Sequence, residues 1–237
     1  MPEFFTTLNS LIPQFIDKLL VIGEALPYIL GGVIVTVGTV VGALGLGFVL
    51  GIPMAVGQIY GPTPVRLLVR LYVWFFRGTP LLVLLFLFYF GLFQFIGLDV
   101  SAFIASCLVL GLTSAAYQSQ IFRASISALP MGQMKAARAL GMSDTQALRN
   151  IILPQALRLS IPGWSNEFSI LLKDSALAYA LGTPEIMARV NFVATRTYTH
   201  LPLYIVAAIL YFLITLVGLY FLRALERKAR IPGYNIQ

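Results

Sequence analysis

The chain has 237 residues, of which 59% are apolar and 11% are charged, and its mean hydropathy is +0.88. A soluble domain usually has about 45–50% apolar and about 25% charged residues, so a soluble enzyme is excluded and an all-α integral membrane protein is predicted. The net charge of +7 would indicate nucleic-acid binding only in a soluble protein, and no nucleic-acid partner is predicted. A single cysteine, Cys107, allows no internal disulfide and no Cys-rich site, and no metal site is predicted.

The first 26 residues carry apolar side chains at helical spacing. These recur every three or four positions from Phe4 to Leu20, with Thr7 and Asp17 on the opposite face. We expect residues 1–26 to form an amphipathic helix lying in the outer interface of the membrane, with a break near Pro13. A helix packed against the rest of the protein would produce the same pattern.

Four stretches without Asp, Glu, Lys or Arg are long enough to cross a bilayer, for which about 20 residues suffice. They are 25–65, 78–98, 100–122 and 197–222, and a fifth stretch, 159–184, contains three charges. The first stretch could hold two spans, but a reversal near Pro53 would lack a polar turn residue. We therefore predict one helix from about Tyr28 to Tyr60, kinked at Pro53, ending before Gly61-Pro62-Thr63-Pro64. This gives five transmembrane helices rather than six, within a membrane domain of residues 27–225.

The basic residues predict the orientation of these helices. With five spans, 12 of the 16 Lys and Arg residues fall on one side of the membrane. Basic loops face the cytoplasm. The N-terminus is therefore predicted to lie outside and the tail, residues 226–237, in the cytoplasm.

The chain contains no sequence typical of catalysis. It has no G-x-x-x-x-G-K-[ST] phosphate loop, no H-E-x-x-H and no G-x-S-x-G. We predict that it is not an enzyme. Small residues at Gly38-x3-Gly42 and Gly47-x3-Gly51 instead indicate close helix packing, either within the chain or with a second copy.

The segment between the third and fourth spans, residues 124–158, is too long for a simple connection. Its sequence predicts a helix over Gln133–Leu140 that ends at Gly141. Ser143-x-x-Gln146 is a capping box for a second helix that would be closed by Pro154. Such a helical loop could dock into another protein, or it could simply lie at the lipid headgroups.

The spacing within this loop resembles the EAA loop of ABC-importer permeases. The matching residues are Lys135-Ala136-Ala137, then Gly141 after three residues, and Ile151 and Leu153-Pro154 after nine more. The family usually has Glu where this chain has Lys135. The resemblance implies a type-1 ABC importer fold in which this segment is a coupling helix docked on an ATPase. Lys135, Ala136, Ala137, Gly141 and Pro154 would then form the ATPase coupling loop.

Three further motifs resemble the permeases of the polar amino-acid (His/Arg/Gln/Glu-type) uptake family. They are Arg77-Gly78-Thr79-Pro80, Ala116-Tyr117-x2-Gln120-Ile121-x-Arg123 and Asn166-Glu167-x5-Lys173-Asp174-Ser175. The family commonly has Glu at the position of Gln120. The resemblance implies a multi-pass protein of the bacterial cytoplasmic (inner) membrane. Its implied partners are a cytoplasmic ABC ATPase dimer, a second permease subunit, identical or paralogous, and an extracytoplasmic solute-binding protein. ATP and Mg²⁺ would be bound by the ATPase, leaving this chain without a cofactor.

Glu167, Lys173 and Asp174 are charges within a predicted span, where each unpaired charge costs at least about 2.5–3.5 kcal/mol. A free amino acid carries both an ammonium and a carboxylate, and such side chains could replace its hydration shell. We predict that they line a substrate site on the translocation pathway. A buried ion network that only fixes helix packing is the alternative.

Other polar residues near the spans have simpler explanations. Arg77, Thr79 and Pro80 form a candidate gate or hinge, although Arg77 at a helix end could merely reach the interface. Tyr117, Gln118 and Gln120 give the third span a polar face, which we expect to make packing contacts between helices.

The predicted function is that of a permease subunit moving a polar amino acid by alternating access driven by partner ATPases. An ABC permease for another small polar solute would share the loop pattern. A secondary carrier driven by an ion gradient would also use intramembrane carboxylates. A membrane scaffold with a structural ion network is the alternative that involves no transport.

Overall fold

In a computed structural model of the chain, the described residues form helices and contain no strand, as the composition predicts. The structure describes the backbone of residues 2–130 and 132–229, and within these ranges the side chains from residue 18 onward. The long helices are α1 (Pro2–Tyr60), α2 (Thr63–Gly78), α5 (Ala102–Ser127), α8 (Leu153–Asp174), α9 (Ile186–Thr197) and α10 (His200–Ala229). The short ones are α3 (Leu81–Phe86), α4 (Phe93–Phe95), α6 (Gly132–Ala139) and α7 (Asp144–Ala147). Two π-helical turns (Leu87–Leu92 and Leu148–Ile152) and a 3₁₀ segment (Ser175–Leu181) join them.

Helix α1 is one uninterrupted helix that passes through Pro53 and stops at Tyr60, which confirms the predicted single helix and its end. The predicted start at about Tyr28 is wrong, since α1 begins at Pro2. Arg66 at the start of α2 donates to the carbonyl oxygens of Gly61 (2.7 Å) and Ile59 (3.3 Å). These bonds satisfy carbonyls that the end of a helix leaves without partners. The stop at Gly61-Pro62 is therefore reinforced by the cation that follows it.

The predicted terminal segments, 1–26 and 226–237, continue the helices next to them. The α1 backbone is helical from Pro2 onward, so the predicted break near Pro13 is wrong, and no break separates this segment from the span. The side chains up to residue 17, which define the predicted amphipathic face, lie outside the described residues. In the tail, α10 continues to Ala229, and residues 230–237 also lie outside them. Placement of either segment at a membrane surface stays a prediction.

Between α2 and α3 the chain bends by 107°. The bend lies at Thr79 and Pro80, which both have extended ψ angles of 133° and 134°. Proline has no amide hydrogen and disfavours a helical conformation in the residue before it. The predicted second span therefore begins with a sharp corner, and its helical part runs over α3, the first π-helical turn and α4.

Three helices of the described chain are long and apolar enough to cross a membrane: Lys18–Tyr60, α5 and α10. The bent pair of α2 with residues 81–95 makes a fourth if it counts as one span. The predicted fourth span corresponds to α8, which is helical over 22 residues but contains Arg158, Glu167, Lys173 and Asp174. Length and composition alone support three or four spans in the described chain.

Helix α5 lies at the centre of the described bundle, and α10 lies at its edge. Val109, Leu110 and Ala115 of α5 are fully buried. Along α10, by contrast, Phe212, Leu216 and Tyr220 are exposed. Because lipid is as apolar as these side chains, such exposure is expected of a bilayer-facing helix.

Glycines of α1 allow α5 to approach closely, as the small-residue pattern predicts. A Cβ added at Gly42 would lie 3.4 Å from the Cys107 sulfur, and one at Gly51 would lie 3.2 Å from the backbone nitrogen of Ser119. A Cβ at Gly47 would collide with Gln118. The packing predicted from these glycines therefore occurs within the chain.

Glu185 forms a buried node between α1, α9 and α10. It is fully buried, and its carboxylate accepts bonds from the amides of Met187 (2.9 Å) and Ala188 (2.7 Å) in the first turn of α9. The hydroxyl of Tyr211 on α10 also donates to it. Thr36 on α1 accepts from the next amide, Ile186, at 3.3 Å. A carboxylate at a helix N-terminus satisfies free amides and is stabilised by the helix dipole.

We expect Gly32→Ala to destabilise the protein because its Cβ would lie 2.8 Å from the backbone nitrogen of Ile186 and 2.9 Å from the carbonyl carbon of Glu185. Backbone atoms cannot rotate away, and overpacking typically costs about 1–3 kcal/mol. Gly45→Ala on the same helix is the matched control, since nothing lies within 4 Å of its Cβ. Thermal unfolding of the detergent-purified variants should show a lower Tm for Gly32→Ala only. Equal Tm values would contradict this packing of α1 against α9.

Candidate functional site

Glu167 lies on the face of α8 that packs against α5, and its side chain is 4% exposed. Its Oε1 accepts a hydrogen bond of 2.6 Å from the hydroxyl of Ser114 on α5. A buried carboxylate needs such partners because removal from water is otherwise very costly. Of the three predicted intramembrane charges, Glu167 is the one that the fold buries.

Gln118, one turn after Ser114, extends this contact to a third helix. Its Nε2 donates to the Leu44 carbonyl of α1 (3.1 Å) and to the Ser114 hydroxyl (3.0 Å). Its Oε1 accepts from the indole Nε1 of Trp164 on α8 (2.8 Å). The expectation that Gln118 makes contacts between helices is therefore confirmed.

Asp174 and Lys173 lie at the far end of α8, about 10 Å along the axis from Glu167. Asp174 is half-buried and Lys173 is exposed. Within the described residues, the one ion pair closer than 4.0 Å is Arg138–Asp144, so Lys173 does not form an ion pair with Asp174 or with Glu167. Asp174, seven residues after Glu167, lies on nearly the same side of α8 as Glu167, whereas Lys173 is exposed.

Arg77 connects the bend after α2 to the centre of the bundle. Its guanidinium lies over the Tyr117 ring of α5, 4.9 Å from the ring centroid. Such a cation–π contact holds a cation next to an aromatic face. Tyr117 directly precedes Gln118, the residue that bonds Ser114 beside Glu167. The bend at Thr79 and Pro80 therefore places a cation near the predicted site.

Gln120 faces a different set of partners, away from Glu167. Its Nε2 donates to Gln58 Oε1 on α1 (3.2 Å), and its Oε1 accepts from Arg123 Nε (2.9 Å). These contacts join the ends of α1 and α5. On the predicted polar face of α5, Gln120 therefore makes a packing contact with α1, while Gln118 belongs to the cluster of Glu167, Ser114, Gln118 and Trp164.

The loop over residues 124–158 folds as two helices around a glycine turn. Helix α6 ends in a Schellman motif: Met142 donates to the Ala137 carbonyl (3.1 Å) and Gly141 to the Arg138 carbonyl (3.0 Å). Gly141 has φ +79°, which favours glycine. At α7, the capping box of Ser143 and Gln146 is present in both directions. The turn and the capping box are therefore confirmed.

The role predicted for Pro154 in closing the second helix is wrong. Residues 144–174 form one helical path, in which α7 leads through the π-helical turn into α8. Pro154 lies in the first turn of α8, directly after that widened turn. Proline is tolerated in a first turn because its missing amide is not required there, and the π-helical turn changes the bonding register before it.

The motif predicts that Lys135, Ala136 and Ala137 all contact the ATPase, but only the first two of these are exposed on α6. Lys135 and Ala136 are exposed, whereas Ala137 is 2% exposed and packs inside the loop. Leu140, 82% exposed, extends the surface beside Gly141. The surface available to a partner thus includes Lys135, Ala136, Arg138, Ala139 and Leu140.

An ion pair joins α6 to α7 across the glycine turn. Arg138 Nε lies 2.7 Å from Asp144 Oδ1, and its Nη2 bonds Oδ2 at 2.9 Å. Hydrogen bonding from Arg138 lowers the pKa of the Asp144 carboxyl. The pair is exposed, so it orients the two helices more than it stabilises them.

Two groups of residues in these networks were not predicted from the sequence. Ser114 and Trp164 hold the Glu167 cluster together, yet a serine or a tryptophan in an apolar helix is common. The sequence did contain one indication of the Ser114–Gln118 hydrogen bond, because residues four apart lie on the same face of a helix. Glu185 was missed as well, because nothing near it in sequence indicates Tyr211 as a partner.

Comparisons with known proteins place this geometry in context. Residues 47–231 match the family described as "Binding-protein-dependent transport system inner membrane component". The probable amino-acid ABC transporter permease protein YckA of Bacillus subtilis is 34% identical, over 93% of this chain and 97% of that protein. The arginine transport system permease protein ArtQ of the same organism is 36% identical, over 86% and 94%. A crystal structure of an amino acid ABC transporter with histidines superposes with a TM-score of 0.79 at 35% identity, covering 88% of this chain and 97% of that one.

Proposed function

Because the chain belongs to the binding-protein-dependent transport system inner membrane component family, we propose that it is the permease subunit of an ABC importer that moves a polar amino acid into the cell. The observation that carries this proposal is the family match over residues 47–231, which includes both the loop and the Glu167 cluster. The amino-acid permeases among its relatives favour that class of substrate.

The proposed topology has five transmembrane segments: α1, α3 to α4, α5, α8 and α10. It places the N-terminus outside and the C-terminus in the cytoplasm of a bacterial inner membrane. The excess of basic residues on one side supports this orientation. Helix α8 can be a span despite its charges because Glu167 is bonded inside the bundle.

The proposed partners are a dimer of cytoplasmic ATPases, a second permease subunit and an extracytoplasmic solute-binding protein. The loop over residues 124–158 would dock on the ATPase through Lys135, Ala136 and Leu140, which are exposed on or beside α6. ATP and Mg²⁺ would be bound by that ATPase. Closure of the ATPases would move the loops together and reorient the spans, which is alternating access.

The proposed substrate site is the space next to Glu167 and Asp174. Carboxylates offer charge-assisted hydrogen bonds to the ammonium group that every free amino acid carries. Arg77, held over Tyr117, supplies a cation for the substrate carboxylate, and the bend at Thr79 and Pro80 would act as the hinge. Lys173 lies exposed at the end of α8, next to Asp174.

Reconstitution tests the proposal. We expect proteoliposomes containing this chain, its ATPase and its binding protein to take up labelled arginine, histidine, glutamine or glutamate only when ATP is present. Uptake should survive an uncoupler and should stop when the ATPase carries a substitution in its phosphate-binding loop. Uptake that needs no ATP and collapses with the uncoupler would instead identify a secondary carrier. Transport of a different solute alone would overturn the amino-acid assignment.

A further inference from the structure

The polar atoms around Glu167 form a chain of hydrogen bonds with a fixed direction. The chain, called here the polar relay, consists of the Leu44 carbonyl, Gln118, Ser114, Trp164 and Glu167. It involves three helices: α1, α5 and α8. Gln118 is fully buried, Ser114 is 1% exposed and Glu167 is 4% exposed. The partners of each group therefore come from the protein.

The orientation of the Gln118 amide follows from the chemistry of its neighbours. The Leu44 carbonyl can only accept a hydrogen bond, and the Trp164 indole nitrogen can only donate one. The amide nitrogen must therefore face Leu44, and the amide oxygen must face Trp164. A flipped amide would set two acceptors together on one side and two donors together on the other.

This orientation determines what Ser114 does. The Gln118 nitrogen that faces Leu44 also donates to the Ser114 oxygen at 3.0 Å. Ser114 has one hydroxyl hydrogen, and with its oxygen already accepting, that hydrogen is directed to Glu167 Oε1 at 2.6 Å. Glu167 is thereby fixed as an acceptor at Oε1.

Gly47 of α1 leaves the room that this arrangement needs. A Cβ at this position would collide with the Gln118 amide and would lie 3.1 Å from Ser114 Cβ. No buried side-chain nitrogen or oxygen within the described residues lacks a partner. The polar relay is thus complete, with a backbone carbonyl of α1 at one end and the carboxylate of α8 at the other.

We propose that Ser114 and Gln118 are positioning residues that hold Glu167 as an acceptor for the cationic group of the transported amino acid. This proposal rests on the proposed function, in which Glu167 contacts substrate. Neither residue needs to touch the amino acid. The polar relay holds one oxygen of the carboxylate at Ser114 of α5 and thereby restricts the orientation of the rest of the group.

The test is equilibrium binding of labelled arginine and labelled glutamine to the purified permease–ATPase complex. For Ser114→Ala we expect the Kd to rise about tenfold, or about 1.4 kcal/mol, because the carboxylate loses its fixed orientation. Gln118→Met, of similar size, should act similarly. The double variant should bind about as weakly as either single variant, because both interrupt one chain of bonds.

Ser125→Ala is the matched control on the same helix, since among the described residues the Ser125 hydroxyl bonds only the Ile121 carbonyl of its own helix, at 3.0 Å. It should keep the wild-type Kd. Equal Kd values for Ser114→Ala and Ser125→Ala would overturn the positioning role, as would fully additive effects of Ser114→Ala and Gln118→Met.

Glu167→Gln separates the failure of this inference from failure of the site. If Glu167→Gln weakens binding and Ser114→Ala does not, only the positioning role is wrong. If the wild-type complex binds neither amino acid, or Glu167→Gln binds both as well as wild type, the substrate site at Glu167 is wrong and the positioning role falls with it.

Discussion

Gly141→Val is expected to uncouple ATP hydrolysis from uptake while leaving the protein in the membrane. Gly141 has φ +79°, and nothing lies within 4 Å of a Cβ added there, so the obstacle is the backbone conformation and not space. A β-branched residue in this region costs about 1–3 kcal/mol. The Schellman turn would open, and α6 would lose its angle to α7. Uptake per ATP hydrolysed should fall by about tenfold or more in proteoliposomes.

Two further variants separate conformation from side-chain size. Gly141→Asn should retain most of the coupled uptake, because asparagine tolerates the left-handed region better than valine does. Thr145→Val places the same new side chain at an exposed, ordinary helical position of α7, outside the proposed docking surface, and should keep coupled uptake. Normal coupling in Gly141→Val would argue against a docking role for this loop. If all three variants lost coupled uptake equally, the left-handed conformation at Gly141 would not be what coupling depends on.

Glu167→Gln is expected to reduce amino-acid uptake by about 10- to 100-fold. Gln has the same shape and can still accept the Ser114 hydrogen bond, so the helix packing should persist. What the variant loses is the negative charge that would bind the substrate ammonium. Hydrogen bonds to charged groups contribute about 1.5–3 kcal/mol, which corresponds to the predicted reduction. Initial rates of uptake in proteoliposomes, with the amount of assembled complex measured alongside, would report the effect.

Glu24→Gln makes the same substitution at an exposed position of α1 and should leave uptake unchanged. The scaffold alternative predicts the reverse pattern for Glu167→Gln, with normal uptake by each assembled complex and weaker association of subunits. That result would remove Glu167 from the translocation pathway.

The loop was the most predictable part of the molecule because its signals are local. The Gly141 turn and the Ser143–Gln146 capping box each depend on residues within about one helical turn, and both are present. The role of Pro154 was predicted incorrectly because a proline ends a helix only where its amide would be needed for a backbone hydrogen bond. Whether it is needed depends on the hydrogen-bond pattern of the preceding turn. The π-helical turn over Leu148–Ile152 sets that pattern, and it has no simple signature in the sequence.

The candidate site was predictable in its charges but not in its contacts. Glu167 is conspicuous because a carboxylate in an apolar span is costly. Its partner Ser114 is 53 positions away and is one of several hydroxyls in α5. Helix periodicity gives the face of a residue on its own helix, while the helix opposite that face is set by packing. For the same reason Glu185 and Tyr211, on different helices, could not be paired from the sequence.

The continuous helical path over residues 144–174 connects the loop directly to the buried carboxylate of Glu167. From Asp144 to Glu167 it measures about 35 Å at 1.5 Å per residue. The path contains two places where a helix bends most readily, the π-helical turn over Leu148–Ile152 and Pro162 inside α8. A displacement of the loop would therefore reach the carboxylate through a continuous helix whose bending at these two places decides how much of the movement arrives.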